Sequence, residues 1–177
     1  RSINRKIASL KAYYKFLLKI GLIEVSPLVK HKALKTAKKV EIPFSETEME
    51  DILHRIPFSD DFEGSRDRLV IELLYSTGIR RVELVNLKLQ DLDLVEGTIK
   101  VIGKRNKERI LPLLNSVVQL FHNYLEKRAL VSNSSSIDNV FLSKAGSKIY
   151  ETLVYRVVNH YFSLVSSKVK KSPHILR

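Results

Sequence analysis

The sequence predicts a mainly α-helical protein with a small three-stranded antiparallel sheet inserted into it, an α+β architecture. Two patterns carry that expectation. In most segments outside 89–113, apolar residues recur at spacings of three and four, as one buried face of a helix requires. Between 89 and 113 that period is lost. Short runs rich in β-branched and aliphatic residues replace it, separated by Glu96-Gly97 and by Gly103 to Glu108, the pattern of strands joined by tight turns. A third observation bears on organisation. The formal net charge of the 177 residues is +12, and +9 of it falls in residues 1–43, where eleven Lys/Arg face Glu24 and Glu41. The stretch 45–74 is acidic instead, with nine Asp/Glu against three Arg.

Taken in order, residues 2–20 read as an amphipathic helix. Ile3, Ile7, Leu10, Tyr14 and Leu17 form its apolar stripe, Arg5, Lys6, Lys11, Lys15 and Lys19 lie off it, and Gly21 closes it. A lone amphipathic helix is marginal, so the chain reads as cut at its N-terminus. Residues 26–43 open with Ser26-Pro27, carry Lys30, Lys32, Lys35, Lys38 and Lys39, and have the composition of a linker. Ser45-Glu46-Thr47-Glu48 is a capping box for a helix to about Arg55, with Phe44 and Met49 as its hydrophobic staple. Asp60, Asp61 and Glu63 read as loop and helix-start charges before a buried helix at about 65–75. Gly78 ends that helix in the left-handed conformation, and a second helix restarts with Val82, Leu84, Val85 and Leu87 available to the core. Strands are expected at Leu89–Leu94, Thr98–Ile102 and Arg109–Leu113. Asn115 is expected to cap a helix to about Ala129, Val140-Phe141-Leu142 to be extended, and Tyr150 to about Ser166 to be helical. Ser172-Pro173 announces one more helix, Ser172 as cap and Pro173 at the first helical position.

Composition excludes several classes of function. No apolar run approaches the ~20 residues of a membrane span, and no apolar segment of signal-peptide type opens the chain. With no cysteine there are no disulfides and no thiolate metal sites. The five histidines, His31, His54, His122, His160 and His174, show no ligand-pair spacing, so no metal is expected; no other cofactor is expected either. A strongly basic surface favours a polyanion, of which nucleic acid is the commonest.

The stretch that organises the chain is Thr77-Gly78-Ile79-Arg80-Arg81-Val82-Glu83. Arg80 sits at the corner between two helices, held by packed backbone on both sides yet able to face outward, which suits a rigid fork for a phosphate. Glu83, three residues on, can brace it. Alone, the stretch reads equally well as a helix–turn–helix with a solvated arginine.

Two further signals stand with it: a hairpin reading Gly103-Lys104-Arg105-Asn106-Lys107-Glu108-Arg109, and the terminal His174-Ile175-Leu176-Arg177. In this order and at these intervals they resemble the tyrosine recombinases, the phage integrase family, most like Xer-type and transposon-borne members. The resemblance covers essentially the whole chain and implies truncation at both ends. It implies that residues 1–33 are the last part of a helical, SAM-like core-binding domain, 34–43 a basic linker, and 44–177 a catalytic domain lacking its C-terminal part. Arg80 matches the first catalytic arginine, Glu83 its supporting acid, Lys104 the hairpin lysine, and His174 and Arg177 the His-x-x-Arg pair. The nucleophilic tyrosine lies beyond Arg177 in this family, so none of Tyr13, Tyr14, Tyr75, Tyr124, Tyr150, Tyr155 or Tyr161 is assigned that role.

The chemistry fits these residue types. A tyrosine hydroxyl attacking a DNA phosphodiester builds negative charge on the non-bridging oxygens, which two planar guanidiniums can stabilise. The departing 5′-oxygen needs a proton, which a lysine or histidine within reach can give. A phosphotyrosine link keeps the bond energy for rejoining. The resemblance thus implies a site-specific recombinase or integrase that cleaves and rejoins double-stranded DNA through a 3′-phosphotyrosine, as a homotetramer on paired sites. It implies a cytoplasmic, nucleoid-associated location and no membrane partner. Lys35, Lys38, Lys39, Arg105 and Lys107 are expected to contact DNA, although Lys104 or these lysines would also serve as solvated surface charges. Two other functions share the pattern: a DNA-binding module without chemistry, and a type IB topoisomerase-like strand transferase.

Overall fold

The computed structural model describes residues 2–35, 43–103, 106–131, 137–166, 171–173 and 176. The chain divides into two units, Arg1–Glu41 and Ile42–Arg177.

The first unit is built on helix α1, Ser2–Lys19, which ends in a turn at Gly21 (φ 73°). None of its side chains is fully buried. The segment that follows returns along the helix. The Asn4 amide pairs reciprocally with the Leu34 backbone, donating to its carbonyl at 2.9 Å and accepting its N–H at 3.0 Å. Lys11 Nζ donates to the His31 carbonyl at 2.8 Å. The stretch up to Leu34 is therefore fastened to α1, although its composition is that of a linker.

The second unit begins with the expected capping box. Ser45 Oγ accepts the Glu48 N–H at 3.2 Å, and the Glu48 carboxylate accepts the Ser45 N–H at 2.7 Å. Helix α2, Glu46–Glu50, continues as a wider π turn over Asp51–Arg55. Helix α3 runs Phe62–Thr77, three residues earlier than the apolar run predicts, because Asp61 caps it by accepting the Gly64 N–H at 2.7 Å. Leu69, Val70, Ile71, Leu73 and Leu74 are fully buried. Helix α4, Arg81–Asn86, follows after a corner. Leu84, Val85 and Leu87 enter the core, whereas Val82 projects outward with half its surface exposed, against expectation.

The sheet has order β1–β2–β3, all antiparallel: β1 is Leu92–Asp93, β2 Thr98–Ile102 and β3 Glu108–Pro112. The first strand is shorter than predicted, since Leu89–Asp91 forms a 3₁₀ turn in which the Asp91 carboxylate accepts the Lys88 N–H at 3.1 Å. Helix α5, Asn115–Ala129, begins at Asn115, so this residue is not its cap. Leu114 takes the cap position, and its carbonyl accepts the N–H groups of both Val117 and Val118. Helix α6 spans Glu151–Val165. One core joins α2 to α6, the sheet and the extended piece Val140–Leu142, and Leu176 packs into it. No described helix is long and apolar enough to cross a membrane.

The corner that ends α3 depends on Gly78, whose φ of 59° lies in the left-handed region and whose N–H bonds the Leu74 carbonyl. An alanine there meets the Cβ–carbonyl crowding of that region. Gly78→Ala is therefore expected to cost about 1 kcal/mol and to lower Tm by a few degrees, measurable by thermal unfolding.

Candidate functional site

The corner holds Arg80 from both sides. Ile79 before it is fully buried, and its N–H bonds Thr77 Oγ1 at 3.2 Å. Behind it α4 is tied to the start of α6, where Arg81 Nε donates to Glu151 Oε2 at 2.9 Å, and Lys148 Nζ donates to Asn86 Oδ1 at 2.6 Å. A backbone fastened this way limits where the Arg80 side chain can go. That side chain is 43% exposed, so its guanidinium reaches solvent from a fixed base.

Glu83 sits one turn along α4 with only 3% of its side chain exposed. Its Oε2 accepts the Arg80 N–H at 2.8 Å, the half of a capping box that an arginine in the cap position can support. Its Oε1 accepts Arg80 Nη1, also at 2.8 Å. Two more N–H groups come from β3: Arg109 Nη1 to Oε1 and Arg109 Nη2 to Oε2, both at 2.8 Å. Each carboxylate oxygen thus accepts two charge-assisted or backbone hydrogen bonds. Burial alone would raise the Glu83 pKa; the bonds from Arg109, from the Arg80 side chain and from the Arg80 backbone outweigh it and hold the carboxyl at about 2, below its ordinary 4.5. Because the folded pKa is the lower one, this stabilisation is complete above about pH 4.5 and is lost as pH falls toward about 2.

Arg109 is not among the residues that the sequence motifs point to as functional, although it closes the hairpin motif. It lies opposite Val101 in the register of β2 and β3, so it shares the inward face of the sheet with Val101, and with Ile99 and Leu111 two positions on. The signal available in the sequence is that alternation: Arg109 and Leu111 share one face of β3, and a charge on a buried face requires a partner.

Between these strands the hairpin narrows at Gly103, whose N–H bonds the Lys107 carbonyl at 2.8 Å. Asn106 takes the left-handed conformation (φ 56°), which a short amide side chain tolerates. Lys107 is exposed on the hairpin and Lys35 is exposed in the first unit. Lys104, Arg105, His174, Arg177, Lys38 and Lys39 lie outside the described residues. Of the candidate catalytic set, the structure therefore brings together Arg80 and Glu83, and adds Arg109.

The tyrosines at the core are structural. Tyr124 donates to the Val140 carbonyl and accepts the Leu142 N–H, both at 3.1 Å. Burial pushes its hydroxyl up to about 12. Tyr161, buried and close to the Asp67 carboxylate, is also pushed up to about 12, burial being the larger cause. Among the described residues no three His, Asp or Glu side chains converge to hold a metal ion.

The helical unit, its three-stranded insertion and the arginine–glutamate corner define the catalytic-domain fold of the tyrosine recombinases. The sequence agrees: a model of the Phage integrase family matches residues 44–177, and the chain belongs to that family. The tyrosine recombinase XerC of Chlorobaculum parvum is 38% identical over 197 residues, covering 100% of this chain and 59% of the relative. XerD of Pseudomonas aeruginosa is 32% identical over 178 residues, again covering 59% of the relative. The chain thus spans less than two-thirds of the length of the relatives it matches. Among solved structures, the XerH site-specific recombinase bound to its difH substrate in a pre-cleavage complex matches with a TM-score of 0.67. It is 26% identical, and the match covers 82% of this chain and 43% of that one. The Tn1549 transposon integrase shares the fold with a TM-score of 0.79 at 21% identity, covering 98% of this chain and 63% of that one.

Proposed function

We propose that this chain is part of a site-specific DNA recombinase that cleaves and rejoins duplex DNA through a 3′-phosphotyrosine intermediate. The observation that carries the reading is the Arg80 corner: a guanidinium fixed at its base, braced by a buried carboxylate and open to solvent. The XerH relative in complex with its difH substrate supports DNA as the ligand.

In this mechanism Arg80 and Arg177 clamp the scissile phosphate and stabilise the charge that develops on its non-bridging oxygens. Lys104 protonates the departing 5′-oxygen, and His174 assists proton transfer. The attacking tyrosine is placed outside these 177 residues. Residues 1–33 serve as part of a core-binding domain and 34–43 as a basic linker, so that two units meet one duplex, and four protomers act on two paired sites. The protein works in the cytoplasm at the nucleoid.

The test is covalent trapping. The full-length protein, incubated with a nicked duplex whose cleaved fragment diffuses away, should accumulate a protein–DNA adduct linked through tyrosine. Binding without any adduct would favour a module without chemistry. The basic residues make a second, smaller prediction. Lys35→Gln and Lys107→Gln should each weaken binding to all sequences alike and flatten the dependence of log K on log salt by about 0.9. Loss of affinity at one sequence alone would contradict backbone contacts.

A further inference from the structure

Of the two guanidiniums on Glu83, the one on β3 holds it with the more rigid geometry. Arg109 presents two parallel N–H bonds, one to each carboxylate oxygen, and so fixes the plane of the carboxylate. Arg80 gives one side-chain bond, to the Oε1 that Arg109 Nη1 also occupies. The direction in which the Arg80 guanidinium can point is therefore set by an oxygen whose position Arg109 determines.

We propose that Arg109 is a positioning residue for DNA cleavage: it clamps Glu83 and, through that carboxylate, aims the Arg80 fork at the phosphate. The inference rests on the reading of Arg80 as a phosphate-binding group.

Two further observations support it. The first is charge. An isolated Arg80–Glu83 pair would be neutral and a poor anion site. With Arg109 added, one carboxylate is shared between two guanidiniums and the cluster keeps a net positive charge, while Arg80 is the more exposed of the two arginines. The second is the hairpin. A β-carbon at Gly103 would lie 3.4 Å from Glu83 Oε1 and 3.5 Å from Arg109 Nη1. The neck of the β2–β3 hairpin thus packs directly on the ion cluster, and the next residue in the chain is Lys104. Arg109 fastens the base of that hairpin to the Arg80 corner through one shared carboxylate, although 26 residues separate it from Glu83.

The experiment compares the full-length wild type with Arg109→Gln, Arg109→Lys, Glu83→Gln and the double variant Arg109→Gln/Glu83→Gln. Cleavage of a nicked duplex is followed in a single turnover at saturating DNA, alongside DNA affinity and Tm. Arg109→Gln should slow cleavage about tenfold, with affinity changed far less. Arg109→Lys should recover part of the loss, because the charge returns without the fork. The double variant should be no slower than the slower single one. Wild-type cleavage by Arg109→Gln, or losses that multiply in the double variant, would overturn the proposal. A readout independent of activity is the Glu83 carboxyl followed by ¹³C NMR. In the wild type it should stay ionised down to about pH 2, and in Arg109→Gln it should titrate at clearly higher pH. An unchanged titration would also overturn the clamp. If the wild type cleaves no duplex at all, the proposed function fails, and the Glu83 titration still decides whether Arg109 holds the carboxylate.

Discussion

Arg80→Ala in the full-length protein is expected to slow DNA cleavage by about 10³-fold, the loss seen when a preorganised donor is removed from a developing negative charge. The fold should survive the change. Glu83 would keep the Arg80 backbone N–H and both bonds from Arg109, so no buried carboxylate is left unpartnered. The side chain removed is 43% exposed and leaves no core cavity. Affinity for DNA should fall only slightly, because a duplex is held by many phosphate contacts, of which Arg80 would supply one. The loss therefore belongs in the cleavage rate at saturating DNA and not in Kd. Arg80→Lys restores the charge but cannot hold Glu83 and a phosphate with a planar fork, so it should recover only part of the rate. Near-normal cleavage by the alanine variant would remove Arg80 from the reaction. A loss confined to Kd would make it an ordinary backbone contact.

Local signals in the sequence located most of this site's framework. The Ser45–Glu48 box, the Gly78 stop and the strands β2 and β3 depend on residues within a few positions of each other, and all appear within one residue of where they are expected. The departures come from partners distant in the chain or from competition between neighbours. Val82 reads as a core residue by composition, yet α4 turns Leu84 and Val85 inward instead. Asn115 is a good capping residue by type, but the Leu114 carbonyl already closes the first turn of α5, which leaves Asn115 inside the helix. Arg109 was hidden for a similar reason. Its role depends on the register of one hairpin and on a carboxylate 26 residues away, and neither is visible as a local pattern.

Buried arginines were the least legible feature, because a charge count assigns every arginine to the surface. Arg66 and Arg128 are 2% and 6% exposed. Arg66 bonds the adjacent Asp67 carboxylate and the Leu142 carbonyl at 3.3 Å. Burial raises Asp67, and Arg66 opposes that shift.

Arg128, near the C-terminal end of α5, gathers three carbonyls: Val140 at 3.0 Å from Nε, and Ile137 and Asn139 at 2.6 and 2.8 Å from Nη2. These carbonyls belong to the stretch that leads into Val140–Leu142. That stretch is joined to the end of α4, where the Val140 N–H bonds the Leu87 carbonyl at 2.9 Å and the Leu89 N–H bonds the Asp138 carbonyl at 2.8 Å. Arg128→Met keeps much of the volume and removes every donor. Val140 retains the Tyr124 hydroxyl as a partner, while the Ile137 and Asn139 carbonyls lose the Arg128 guanidinium. A polar group left unsatisfied costs about 1–3 kcal/mol when buried, and both carbonyls are only part-buried, so the variant should lose about 2 kcal/mol. Tm should fall by ~6 °C. Arg128→Lys should restore only part of this, since one ammonium cannot reach three carbonyls held by a planar fork. Because the damaged stretch supports α4 from behind, the variant should cleave DNA normally at low temperature and lose activity along with its fold on warming. An unchanged Tm would mean that water satisfies these carbonyls as well as the arginine does. Reduced cleavage at a temperature where the fold is intact would instead tie Arg128 to the orientation of the Arg80 corner.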